Sequence, residues 1–211
     1  MHSTSMSMTM QEYQTLDSAY KFFNKKLFVS ALPECLIVMQ RKGKRNLGYF
    51  HPNRFTHRLE QNKRTDEIAL NPDNFYGRTD QDILATLAHE MAHLWQQHFD
   101  KPPRGGYHDK RWGRKMEEIG LMPSNTGEPG GKRTGQQMHH YIVPDGPFHK
   151  ACKDFLASGK KLSWNSFPIM NAKSPQSKAK FSCPACGQNA WAKPTAKLIC
   201  GNCEVFMPAE S

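Results

Sequence analysis

Three residues in one five-residue window carry the most legible chemistry of this chain: His89-Glu90-Met91-Ala92-His93. An α-helix turns about 100° per residue, so positions four apart differ by roughly 40° in direction and lie one turn apart. Both imidazoles can then reach one metal ion. A carboxylate beside the first of them can hydrogen-bond a water on that ion. Zinc lowers the pKa of such a water toward roughly 7. Glu90 then takes the proton as the water attacks an amide carbonyl, and can return it to the leaving amine. The pattern also arises by chance in soluble helices. Here it lies on a strongly amphipathic segment with both histidines off the apolar stripe, which favours a zinc site and hence amide hydrolysis.

A catalytic zinc ordinarily takes three protein ligands and keeps one position open. His98 is nine residues from His89, about 180° around the helix, and points away. A metzincin would need a histidine at position 99, where the chain has Phe99. Glu117 or Glu118 on a following helix would complete a two-histidine, one-glutamate site. His108 follows the Gly105-Gly106 corner, where the chain reverses, and would complete a three-histidine site.

A second cluster lies near the C-terminus. Cys183-Pro184-Ala185-Cys186 and Cys200-Gly201-Asn202-Cys203 are paired CxxC units separated by thirteen residues. Each pair suits a tight turn that converges two thiolates, and two turns complete a tetrahedron around zinc. Four sulfurs leave no open position, so this zinc is structural. Redox CxxC motifs come singly, near a βαβ pattern, and do not fit. Gly187 and Gly201 suit the turns. Cys35 and Cys152 are isolated thiols.

The elements that must hold these residues can be read around them. Leu84, Leu87, Ala88, Met91, Leu94 and Trp95 make the buried stripe of a helix from Thr79 to Phe99. Thr79 and Asp82 form a capping box at its start, and Pro102-Pro103 prevents its continuation. Tyr13, Leu16, Ala19, Tyr20, Phe23 and Leu27 predict an earlier helix over 11–28. Cys35–Gln40, Leu47–Phe55 and Glu67–Leu70 read as strands, with Arg41–Arg45 as a hairpin turn between the first two. A helix over about 109–119 stops at Gly120. Residues 120–137, with five glycines and two prolines, read as a long loop. Its Gly131-Lys132 is no P-loop, since Thr126 and Arg133 stand where glycine and Ser or Thr are needed. A short strand at Tyr141–Val143 and a helix over Phe148–Ser158 close the domain.

Thr86–His93, followed by Gly106-Tyr107-His108-Asp109 and Trp112, resembles the SprT-like metallopeptidase family, which includes Spartan. Phe22-Phe23-Asn24, Leu27-Phe28 and Leu32-Pro33 are similar to the family's first helix, and Glu67–Asn71 to the strand before its active helix. The resemblance covers roughly residues 11–120. It implies that His108 is the third zinc ligand, and it implies a small zincin-like catalytic domain of α+β class. A C-terminal zinc ribbon is frequent in the family and agrees with the paired cysteines. Many members carry glycine after the third histidine, where this chain has Asp109. That residue either supports a ligand by a hydrogen bond or caps the next helix.

The expected organisation is a catalytic domain over 1–162, a Ser-, Lys- and Pro-rich linker over 163–179, and the ribbon over 180–211. Expected cofactors are one catalytic and one structural zinc. No apolar run is long enough to span a bilayer, and Met1–Met10 lacks the basic flank and apolar stretch of a secretory signal. The expected location is therefore cytoplasmic, or nucleoid-associated in a bacterium. The chain carries 29 basic and 19 acidic residues, for a net +10. Residues 41–64 alone hold Arg41, Lys42, Lys44, Arg45, Arg54, Arg58, Lys63 and Arg64 against Glu60, with Tyr49, Phe50 and Phe55 among them. The ribbon adds Lys193 and Lys197 beside Trp191. Basic side chains suit phosphates and aromatics suit unpaired bases, so single-stranded or junctional DNA is the expected partner beside a protein substrate. The family resemblance turns this into an endopeptidase of DNA-bound or DNA-crosslinked proteins, stimulated by DNA. Two rival readings are a peptidase dedicated to one regulatory protein and a non-peptidase DNA-binding protein. Tyr107, His139, His140 and Tyr141 are candidates for a donor to the transition state.

Overall fold

The computed structural model describes residues 6–43, 46–167 and 177–210. The chain divides into two compact units, Met1–Pro168 and Ile169–Ser211. The first is an α+β unit. Helix α1 (Met8–Leu27) leads to strand β1 (Leu36–Met39), followed by β2 (Gly48–Thr56) and β3 (Arg64–Leu70). A turn of 3-10 helix precedes α2 (Asp80–Phe99) and α3 (Lys110–Glu118), and β4 (Leu121–Ser124), β5 (His139–Ile142) and α4 (Pro147–Ala157) complete the unit.

The three-stranded sheet runs in the order β1-β3-β2. This corrects the expected hairpin at Arg41–Arg45, since β1 and β2 never pair. Strand β3 lies between them, parallel to β1 and antiparallel to β2. The reason is burial. Ile68, Ala69 and Leu70 are fully buried, and only a central strand shields both faces and both edges of such a run. The segment after β1 must therefore cross to the far side of β3. Asn71, itself buried, fastens that crossing: its Nδ2 donates to the carbonyls of Gly43 (3.0 Å) and Asn46 (2.8 Å). The hairpin in this sheet is β2–β3, whose register shifts between His51 and Phe55. Within that shift Asp66 accepts the N–H of Asn53 at 2.7 Å.

The core lies between the sheet and the helices. Phe23 of α1 packs against Phe148 and Phe155 of α4, with ring centroids 5.5 and 5.8 Å apart. Leu84, Leu87, Ala88 and Met91 of α2 fill the centre. Helix α2 is buried on almost every side from Ile83 to Ala92, because the sheet and the other helices enclose it. Strand β4 occupies the start of the stretch expected to be loop. Its Pro123 hides it from a strand reading, yet proline is tolerated in a two-stranded ladder where alternate N–H groups face away from the partner. Residues 163–166 run along the first unit: Ser163 N–H donates to Glu12 (3.1 Å) and Arg41 Nε to Ser166 Oγ (3.3 Å).

The second unit pairs β6 (Ala179–Ser182) with β7 (Asn189–Ala192), and β8 (Leu198–Ile199) with β9 (Phe206–Met207). Among the described residues its buried core is Ala179, Phe181, Met207 and two cysteines, Cys183 and Cys200. Among the described residues no helix is long and apolar enough to cross a membrane.

Candidate metal centres

The N-terminus of α2 is fixed by the capping box: Asp82 N–H donates to Thr79 Oγ1 and Thr79 N–H to Asp82 Oδ2, each at 3.2 Å. Such a cap contributes about 1 kcal/mol and sets the rotation of the helix. His89 and Glu90 are buried two turns further on. After Phe99 the prolines end the helix, and Gly106 at φ +74° turns the chain back. His108 is then clamped by a two-way backbone pairing, donating its N–H to Gly135 O (2.8 Å) and accepting that of Gly135 (3.1 Å). Asp109 caps α3 by accepting the N–H groups of Arg111 (3.0 Å) and Trp112 (2.9 Å), and it ties α3 to α2 through Gln96 Nε2 at 2.8 Å. Of the two roles open to Asp109, capping is the one the structure shows.

These constraints bring one nitrogen from each of His89, His93 and His108 within 4.8 Å of one another. His93 Nε2 and His108 Nε2 are 3.1 Å apart. The fit to a metal follows from proton positions. His108 Nδ1 lies 3.2 Å from the Gly135 carbonyl. A nitrogen facing a carbonyl oxygen carries the proton, so the neutral ring turns a lone pair on Nε2 toward His93. Burial pushes all three histidines down, His93 to about 3, so they are neutral and able to ligate. Trp112 underlies the cluster: its ring centroid is 4.9, 5.1 and 4.4 Å from those of His89, His93 and His108, with His93 stacked on it at 18°. A fully buried indole cannot shift without opening a cavity, so it holds the three rings in place.

Among the described residues Glu90 has no charged partner, and burial raises its pKa from 4.5 to about 8. A divalent cation alongside would draw it back down. Gly48 of β2 passes directly over this carboxylate. A Cβ there would sit 2.8 Å from Ala69 O and 3.3 Å from Glu90 Oε1, so only glycine lets the edge strand come so close. The site opens into a groove of about 1350 Å³, bounded on one side by Gly48–Pro52 and on the other by Gln136–Ile142. Tyr107, His139, His140 and Tyr141 all line it. His140 approaches closest, its Nδ1 3.1 Å from His89 Nδ1. Its pKa falls to about 4, through burial first and then the Arg78 guanidinium. The competing ligands are engaged elsewhere: Glu117 with Arg133 (3.0 Å), Glu118 with Lys115 (2.8 Å), and His98 with Asp66 (2.6 Å).

In the second unit the sulfurs of Cys183, Cys186, Cys200 and Cys203 lie within 4.8 Å of one another. Cys186 Sγ and Cys200 Sγ are 3.7 Å apart, against an edge of about 3.8 Å for a tetrahedron of 2.3 Å zinc–sulfur bonds. The backbone N–H of Cys186 pulls the Cys183 thiol down to about 7, whereas the neighbouring sulfur of Cys186 pushes Cys203 up to about 12. Four thiols this close cannot all ionise unaided, and a divalent cation bound among them would supply the missing charge. The two turns are equivalent. Cys183 O accepts Gly187 N–H (2.9 Å) and Cys200 O accepts Glu204 N–H (2.8 Å). The left-handed residues are Gly187 (φ +73°) and Glu204 (φ +55°). Gly201, expected to serve the second turn, does not have that conformation.

The expected DNA contacts are divided. Arg41 is paired with Asp73 at 3.1 Å, and the Lys42 ammonium sits 4.1 Å from the centre of the Tyr49 ring, covering the face a base would stack on. Lys44 and Arg45 lie outside the described residues. Phe50 packs against the core. In the ribbon, Trp191, Lys193 and Lys197 are exposed.

Histidines paired along a buried helix, a third delivered by a chain reversal and a carboxylate between them are the features of a metallopeptidase-like domain. The SprT-like family model matches residues 16–131, more than half of the chain, and the chain belongs to that family. An uncharacterised protein from Salmonella typhimurium, described as lying in the mucB 3' region, is 48% identical over 60 residues, which are 28% of this chain and 78% of that protein. No solved structure matches the chain. The motif residues were legible in the sequence. Gly48, Gly135 and the packing role of Trp112 were not, because each acts through a neighbour far away in the chain.

Proposed function

We propose that the chain is a zinc-dependent endopeptidase with His89, His93 and His108 as metal ligands and Glu90 as general base. One observation carries this: three neutral imidazoles converge in an open groove beside a carboxylate that has no charged partner among the described residues. A zinc ion bound there would polarise the scissile carbonyl and acidify water. Glu90 accepts the attacking water's proton and passes it to the leaving amine. Trp112 and Gly135 hold the rings, and the groove gives an extended peptide room to lie across the site. A second zinc, on Cys183, Cys186, Cys200 and Cys203, has a purely structural role.

The substrates of this reading are proteins bound or crosslinked to DNA, with DNA stimulating cleavage. The exposed Trp191 beside Lys193 and Lys197 supports a single-stranded or junctional DNA contact on the ribbon. The ion pairing of Arg41 and the cover over Tyr49 weaken the same reading for residues 41–64. The proposed location is the cytoplasm, on the nucleoid in a bacterium. Casein digestion with and without single-stranded DNA tests the proposal. Wild type is expected to cleave and to speed up with DNA. Glu90→Gln is expected to lose at least 100-fold in rate, at the low end of the roughly 10²–10⁴ typical of a general base, with two zinc ions per chain retained. Wild-type rates in Glu90→Gln overturn the mechanism. Indifference to DNA favours a peptidase dedicated to one regulatory protein.

A further inference from the structure

Two of the three candidate ligands are gripped from the same stretch of chain. Gly135 O accepts the Nδ1 proton of His108, and His140 sits five residues further on, with its Nδ1 3.1 Å from His89 Nδ1. Strand β5 carries His140 in fixed register, opposite Pro123 of β4. Among the described residues His140 is the sole hydrogen-bond partner of the His89 ring. Two ring nitrogens at that separation attract only if one of them carries a proton. If His140 donates, the proton of neutral His89 is forced onto Nε2, and no lone pair is left there for a metal. If His89 donates, its Nε2 is free to ligate, and His140 must keep its own proton on Nε2.

We propose that His140 is a positioning residue that accepts the Nδ1 proton of His89, fixing the tautomer and the ring orientation in which His89 binds the metal. The segment from the glycine-rich loop into β5 thereby orients two of the three ligands, through one backbone carbonyl and one imidazole. Supporting partners of this kind sharpen metal affinity by roughly 10–100-fold. His140 is not itself a ligand: the nitrogens that gather within 4.8 Å are those of His89, His93 and His108.

The inference rests on the three-histidine reading, and the full zinc-loaded chain tests both separately. Chelator competition on His89→Ala first identifies which of the two zinc ions the histidines hold. If that variant keeps both ions with unchanged affinity, the underlying reading fails. His140→Ala is expected to weaken that zinc about 10–100-fold, with the cysteine-bound zinc unchanged. His140→Gln, whose amide oxygen can accept the same proton, is expected to regain part of the loss. Long-range ¹H–¹⁵N spectra of the zinc-loaded wild type are expected to show neutral His140 protonated on Nε2 and His89 protonated on Nδ1. A His140 proton on Nδ1 overturns the proposal, as does wild-type zinc affinity in His140→Ala. Equal losses in the Ala and Gln variants assign His140 to packing alone and overturn it too. X-ray absorption showing one fewer imidazole in His140→Ala makes His140 a ligand, which also contradicts it.

Discussion

The two candidate metal centres are built in opposite ways. The histidine site draws its side chains from α2 and from the turn into α3, inside a unit whose core runs through four helices and a sheet. Its geometry is set by packing: Trp112 beneath, Gly135 and His140 alongside. The cysteine site draws all four sulfurs from two turns, in a unit whose few buried apolar groups include two of those cysteines. There the candidate metal ligands are themselves part of the core. One candidate site is held by a fold, and in the proposed reading the other would hold its fold together.

The comparison breaks most visibly on metal removal. Chelation is expected to unfold the ribbon completely, because structural zinc contributes about 10–16 kcal/mol in such modules and the remaining core is too small to replace it. The first unit is expected to stay folded. Amide spectra of the full chain with and without chelator measure both, and a ribbon that keeps its dispersed signals contradicts the contrast.

Trp112→Ala tests the packing of the histidine site. A buried tryptophan lost to a cavity is expected to cost about 3–5 kcal/mol. The histidine-bound zinc is expected to go with it, while the cysteine-bound zinc stays. Denaturant melts with zinc analysis give both numbers. Retention of both zinc ions would mean that the indole is not the platform.

Acid should find the first unit before the chemistry of its surface does. In the metal-free protein burial holds His93 at about 3 and His140 at about 4, below the ordinary 6.5. Groups depressed in this way are protonated first in the unfolded chain. Their stabilisation is therefore complete above about pH 6.5 and is lost as pH falls toward 3 to 4. Buried Glu90, raised to about 8, acts in the opposite sense and offsets part of this as pH falls from 8 toward 4.5. Denaturant midpoints of the metal-free chain are therefore expected to fall only below about pH 6.5, down to pH 4.5, and less so in His140→Gln. A flat profile removes the buried neutral histidines from the account.

The smallest effect sharpens the view of the ribbon. Glu204 holds a left-handed conformation where the matching turn has Gly187. Glu204→Gly is expected to stabilise the zinc-loaded ribbon by about 0.5 kcal/mol, since glycine adopts that conformation without strain. Gly201→Ala, at a position without positive φ and with open space around it, is expected to be close to neutral. Thermal melts of the two variants compare them.

The sequence by itself carried the local chemistry of this protein. The histidine spacing on α2, its capping box at Thr79, the prolines that end it and the paired CxxC turns depend on neighbours within a few residues, and such patterns survive without a fold. The α+β class came with the family resemblance that those motifs carry. What only the tertiary structure decided depends on long-range competition. Strand β3 took the centre of the sheet because its apolar run needed cover on every side, which overrode the simpler β1–β2 hairpin. The glycine-rich stretch proved to be a strand and a clamp on His108, because Gly135 meets that residue 27 positions away in the chain. His140 came to rest against His89 from 51 residues away. Spacing along a chain reveals which groups can act together on one helix or one turn. Which distant backbone carbonyl or ring completes a site is settled by packing, since only the folded core brings them within hydrogen-bond reach.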